Sequence, residues 1–195
     1  MMDTLVTKAK GFLLSPVETF RQSAGDEPGA VFTYFTVLLL INAILSALVA
    51  AAGVHAMRMF AGMSFGVALP VLVFFMVLVG GFIVTLIIAA WIHLWVYLLG
   101  GRKGIMQTIR AVLYGNTPRL LLGWIPLVGL VFALWSLVLT ILGVRELQEL
   151  SPGKAVLAVA IAIIIPLAVI VLLAAYFLMS YMAVGPVPVP PSNIF

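Results

Sequence analysis

Apolar residues run along this chain in long blocks, neither alternating as in a strand nor confined to the one-sided stripe of a soluble helix. The blocks fall at about 31–57, 71–99, 105–123, 125–144 and 155–184. A helix crosses a bilayer with roughly 20 apolar residues, so the first, second, fourth and fifth blocks read directly as crossings. A β-barrel would need short alternating segments instead. The expected fold is all-α: a polytopic transmembrane helical bundle of about five spans over residues 30–184. A short interfacial helical segment, residues 1–29, precedes it, and a Pro-rich extended tail, residues 185–195, follows.

Within residues 3–24 the pattern predicts two short helices lying at the interface. Leu5, Val6, Phe12, Leu13, Leu14, Val17 and Phe20 supply apolar surface, and Lys8, Lys10 and Arg21 a wet face. Ser15-Pro16-Val17-Glu18 reads as a helix start, with Ser15 capping, Pro16 in the first turn and Glu18 closing a capping box. In the first span Asn42 and Ser46 share a face with Ala43, Ala47 and Ala50, small residues that allow close helix contact. Arg58 to Leu69 reads as a connection, Gly100-Gly101-Arg102-Lys103-Gly104 as a basic turn, and Pro166 as a kink in the last span.

The third block, Ile105–Gly123, contains Arg110 and Arg119, and charge counting decides its placement. If it lies on the surface, Lys8, Lys10, Arg21, Arg102, Lys103, Arg110 and Arg119 face Arg58, Arg145 and Lys154 across the membrane, a split of seven to three. If it crosses, Arg145 and Lys154 join the first side and Arg58 stands alone, a split of seven to one in the loops. The positive-inside rule favours the crossing, with the N-terminus cytoplasmic and the C-terminus outside.

Composition supports the membrane reading and removes several functions. The chain is 65% hydrophobic and 8% charged, against about a quarter charged in soluble domains. All six carboxylates lie at Asp3, Glu18, Asp26, Glu27, Glu146 and Glu149, leaving none between residues 28 and 145. Proton- and cation-coupled transporters commonly use buried Asp or Glu, so such coupling is disfavoured. Cysteine is absent, which excludes disulfides, zinc-thiolate sites and a cysteine nucleophile. The net charge of +4 is no nucleic-acid signature, because the basic residues sit singly or in pairs at span ends, facing anionic lipid head groups. No Ser-His-Asp order, HExxH, phosphate loop or metal-ligand spacing is present, so neither catalysis nor a cofactor is expected.

The third block carries the candidate chemistry. On a helix Lys103, Gln107, Arg110, Tyr114 and Thr117 are spaced four, three, four and three apart and form one polar stripe. Arg119 lies nine residues from Arg110 and faces elsewhere. These six residues are the candidate contacts for a partner or lipid. The stripe can face a cavity, a lipid phosphate or a partner, or Arg110 and Arg119 can snorkel to opposite head-group layers. Any paired arginine must find a lipid phosphate, another chain, or an acid from the ends of this one. His93, in an aromatic belt with Trp91, Trp95 and Tyr97, reads as a satisfied interfacial group, as does His55.

A short N-terminal helix with Phe12, Pro16 and Phe20 precedes the spans. The basic turn Gly100–Gly104 leads into Tyr114-Gly-Asn-Thr-Pro118, then Trp124-Ile-Pro126, Trp135, Gly143 and Glu146. Together these resemble the Yip (Ypt-interacting protein) domain family over about residues 10–180. In eukaryotic members the resemblance implies a cytosolic N-terminus, five spans, contact with prenylated Rab-type GTPases and roles in vesicle formation or membrane shaping. Only about 29 residues precede the first span here, which argues against GTPase binding and fits a prokaryotic member. The expected function is a non-enzymatic membrane protein that organises the bilayer or binds a membrane-protein partner or a second copy of itself. The alternative is a small transporter or channel component that uses the stripe around Arg110 for an anionic or lipid substrate. A water-accessible cavity reaching Arg110 and Tyr114 would favour the alternative.

Overall fold

A computed structural model describes residues 2–53 and 68–184. Among them the chain is helical throughout its regular structure. Two short helices, α1 (Met2–Leu14) and α2 (Pro16–Gln22), precede α3 (Pro28–Ala51). Helix α4 (Ala68–Phe75) continues through a π-helical turn, Met76–Gly80, into α5 (Gly81–Leu98). The remainder is α6 (Ile105–Gly115), α7 (Thr117–Leu122), α8 (Val128–Leu147) and α9 (Pro152–Val184). Pro28–Ala51, Ala68–Leu98, Val128–Leu147 and Pro152–Met182 are long and apolar enough to cross a membrane.

Several local expectations change form. The capping box at Ser15 is absent: Ser15 makes no side-chain cap, and Glu18 instead accepts from Gln22 Nε2 at 2.9 Å. Pro70 lies inside α4, and Pro166 inside the continuous α9. The connection from Arg58, His55, Gly62, Gly66 and the tail 185–195 lie outside the described residues.

The third apolar block is two helices rather than one. Pro118 has no N–H to give to the carbonyl of Tyr114 four residues earlier, and the Thr117 hydroxyl donates to that carbonyl at 2.6 Å instead. The chain resumes as α7 with Pro118 in its first turn.

Helices α6 and α7 run antiparallel to α8 along nearly its whole length. The Arg119 amide donates to Ser136 Oγ at 2.9 Å. Gly115 lies against Thr140, where an added Cβ would stand 2.9 Å from the Thr140 nitrogen. Gly143 lies against Ala111 and Phe20, with an added Cβ 2.7 Å from the Phe20 ring. Only glycine admits backbones this close.

At the far end of this hairpin Gln148 ties the loops together. Its Nε2 donates to Gly104 O at 2.8 Å and Thr108 Oγ1 at 2.9 Å, and its Oε1 accepts from the Lys103 amide at 3.1 Å. Thr108 Oγ1 also forms a hydrogen bond with His93 Nδ1 at 2.8 Å. The turn before α6, the loop after α8 and the N-terminal helices therefore gather at one end of the bundle.

The exterior is apolar. Exposed Ile83, Ile87, Leu130, Val131 and Leu134 face outward from α5 and α8. Helix α9 is buried through Ala155, Ala158, Val159 and Ala162, small residues suited to close packing. From Ile163 to Met179 every side chain is exposed.

Candidate functional site

The aromatics of the N-terminal helices enter the bundle. Phe12 and Phe20 are each 0% exposed. Phe12 stacks on Tyr114 with ring centres 4.7 Å apart, and lies 4.8 Å from Phe20 and 6.2 Å from Tyr34. The Tyr34 and Tyr114 rings meet edge-on at 5.2 Å. Buried aromatic pairs of this kind contribute about 0.5–1.5 kcal/mol each beyond the area they bury.

The polar stripe of α6 meets the turn that links α2 to α3. Gln107 Nε2 donates to Ala24 O at 3.2 Å. Arg110 Nη2 donates to the main-chain carbonyl of Asp26, and the Tyr114 hydroxyl donates to the Asp26 carboxylate. Lys8 pairs with the same carboxylate oxygen and stands 3.2 Å from the Tyr114 hydroxyl. Because Thr117 gives its proton to Tyr114 O, Tyr34 donates to Thr117 Oγ1 at 2.9 Å. Gln107 Oε1 and Arg110 Nε are buried with no partner among the described residues.

Lys103 stands apart from the stripe. It precedes α6 in the Gly100–Gly104 turn and pairs with Glu149 at 2.6 Å on the surface. Arg119 is exposed on α7, a separate helix from that of Arg110. Among the described residues its guanidinium has no carboxylate within ion-pair reach.

Asp26 is the residue that sequence reasoning missed, being read as one more acid at the chain's end. Burial acts to raise its carboxyl, but hydrogen bonds from Lys8, Tyr114 and Ser23, with the charge of Lys8, outweigh burial and hold it below its ordinary 3.8. Glu146 plays a parallel part, accepting from Arg21 Nε at 2.8 Å and from Arg145 Nε at 2.7 Å. Acids far apart in sequence thus neutralise bases at one end of the bundle.

A cavity lies elsewhere, between α3, α5, α7, α8 and α9, and holds about 500 Å³. Asn116 and Arg119 line it; Arg110 and Tyr114 do not. Among the described residues no group of three or more His, Asp or Glu is placed to hold a metal ion.

Compared with known families, residues 10–186 match a model described as the Yip1 domain. The chain belongs to the Yip1 domain family. No curated protein and no solved structure matches it. With its outward-facing apolar helices, this Yip1 domain protein is a multi-pass integral membrane protein. In it, Phe12, Phe20 and Tyr114, three residues that carried the resemblance, form one aromatic cluster.

Proposed function

We propose that this Yip1 domain protein is a non-enzymatic, five-span protein that organises membrane or binds protein partners, with its N-terminus cytoplasmic and its C-terminus outside. The observation that carries this reading is the orientation of Arg110 and Tyr114. Both turn to the Asp26 turn, with Lys8 beside them, so the stripe serves as an internal lock rather than a substrate path.

The crossing of residues 105–122 is supported by the antiparallel run of α6 and α7 along α8. It is supported too by the gathering of Lys103, Gln148 and Glu149 at one end. Lys8, Lys10, Arg21, Arg102, Lys103, Arg145 and Lys154 then share a side, as the positive-inside rule requires of a cytoplasmic face. Lys103, exposed in the turn before α6, is the member of the candidate set available to head groups. The bare length of α9 after Ala162 offers the face for a partner helix or a second copy.

The test is photo-cross-linking in native membranes from a reactive residue at Leu172, which is 69% exposed. Discrete protein adducts are expected; lipid adducts alone would remove partner binding. Anion flux in proteoliposomes that vanishes in Arg110→Ala would replace this reading with transport.

A further inference from the structure

The cavity between α3, α5, α7, α8 and α9 lies midway along the apolar helices. Asn42, Thr85 and Ser136 each sit near the middle of their helices, Pro28–Ala51, Ala68–Leu98 and Val128–Leu147. Its volume of about 500 Å³ is that of ligand sites, which run from roughly 300 to 1,000 Å³.

Its walls are polar where hydrocarbon would forbid it. Asn42 donates to Leu120 O at 2.9 Å, and Asn116 to Val112 O at 2.9 Å. The hydroxyl-bearing Ser46 and Thr85 line it as well. In a bilayer such groups need a protein, water or ligand partner. Arg119 is the one cation in the lining, and no carboxylate lines the cavity among the described residues. A guanidinium matches carboxylate and phosphate through paired N–H donors and is less strongly hydrated than an ammonium.

The rest of the lining is apolar. Leu39, Val77, Leu137 and Val159 form the walls, and Val84, Ile88 and Ile163, themselves exposed, form a rim toward the lipid. A small hydrophilic anion gains nothing from such walls, whereas an acyl chain does.

We propose that this cavity binds the head of an anionic membrane amphiphile, its carboxylate or phosphate against Arg119 and its chain leaving over Val84, Ile88 and Ile163. The site deepens the membrane-organising reading and rests on the five-span arrangement, which places Arg119 within the bilayer. Failure of that arrangement shows as wrong-sided thiol labelling of Leu127→Cys, whereas failure of the site shows as absent lipid adducts with normal labelling.

Native mass spectrometry of the full chain, delipidated in a neutral detergent, tests it with phosphatidylglycerol, oleate, phosphatidylcholine and inorganic phosphate. One phosphatidylglycerol or oleate retained per chain is expected, with phosphatidylcholine lost and inorganic phosphate unable to displace the adduct. Arg119→Gln, which removes the charge, and Thr85→Phe, which fills the cavity and keeps the charge, should each weaken retention roughly tenfold or more. Arg102→Gln, on the outer surface, should leave it unchanged. Should Arg119→Gln fail to fold, Thr85→Phe carries the test. Undiminished retention in the folded cavity variants, equal retention of phosphatidylcholine, or displacement by inorganic phosphate overturns the proposal.

Discussion

Replacing Asp26 by alanine removes the acceptor for two groups at once. The Tyr114 hydroxyl belongs to a residue that is fully buried, so stranding it costs about 1–3 kcal/mol. The Lys8–Asp26 pair is 22% exposed on both sides, and a pair so open to solvent adds at most about 1 kcal/mol. Asp26→Ala should therefore cost about 2–3 kcal/mol in total. Tyr114→Phe removes the donor and leaves Asp26 with Lys8 and Ser23, so it should cost only about 1 kcal/mol. Once the phenol is gone, Asp26→Ala strands nothing buried, and the double variant should fall short of the sum by about 1–2 kcal/mol. Equilibrium unfolding in detergent, followed through the four tryptophans, measures all four corners of the cycle. Additive costs would refute the contact between Tyr114 and Asp26, and with it the internal lock.

Three further outcomes follow from the same geometry. The folded Asp26 carboxyl titrates below its ordinary 3.8, so its contribution is complete above that pH and is lost as pH falls through the lowered value. The gap in stability between wild type and Asp26→Ala should be constant from about pH 7 to 5 and narrow as pH falls through the lowered value; a gap independent of pH would contradict the assignment. Arg110→Ala should lower stability by about 1.5–3 kcal/mol through loss of a charge-assisted bond to a carbonyl; wild-type stability would mean that Arg110 snorkels to head groups instead. Gly143→Ala drives a Cβ to within 2.7 Å of the Phe20 ring and should cost about 1–3 kcal/mol. It should raise tryptic cleavage at Arg21 and be partly rescued by Phe20→Leu; unchanged cleavage would show that α2 does not dock there.

Much of the bundle was legible because hydrocarbon solvent demands long apolar helices, and the runs around Leu38, Ile87, Leu134 and Ile164 meet that demand without tertiary help. The four-and-three spacing aligns Gln107, Arg110 and Tyr114 on α6, while Thr117 lies on α7 and Lys103 in the turn before α6. What the aligned side chains face was not legible. Arg110 meets a carbonyl 84 residues away, and nothing local to either segment marks that pairing. The break at Asn116 was present in the sequence as Pro118, but its repair by the Thr117 hydroxyl depends on side-chain geometry. Gln148 read as one polar residue in a loop, because its three bonds join segments about 40 positions apart. The cavity was legible only as scattered polar residues, Asn42, Thr85, Asn116 and Ser136, on four separate segments.

The central claim is that residues 105–122 cross the membrane, carrying Arg119 into it and returning through α8. Because the chain has no cysteine, single cysteines report without background. Leu127, 92% exposed at the hairpin tip, should react with an impermeant maleimide from the side opposite to Arg102 and Ser151, which should react from the same side as each other. Labelling of Leu127 from the Arg102 side, with Ser151 opposite, would contradict the account and leave a four-span protein with that segment on its surface.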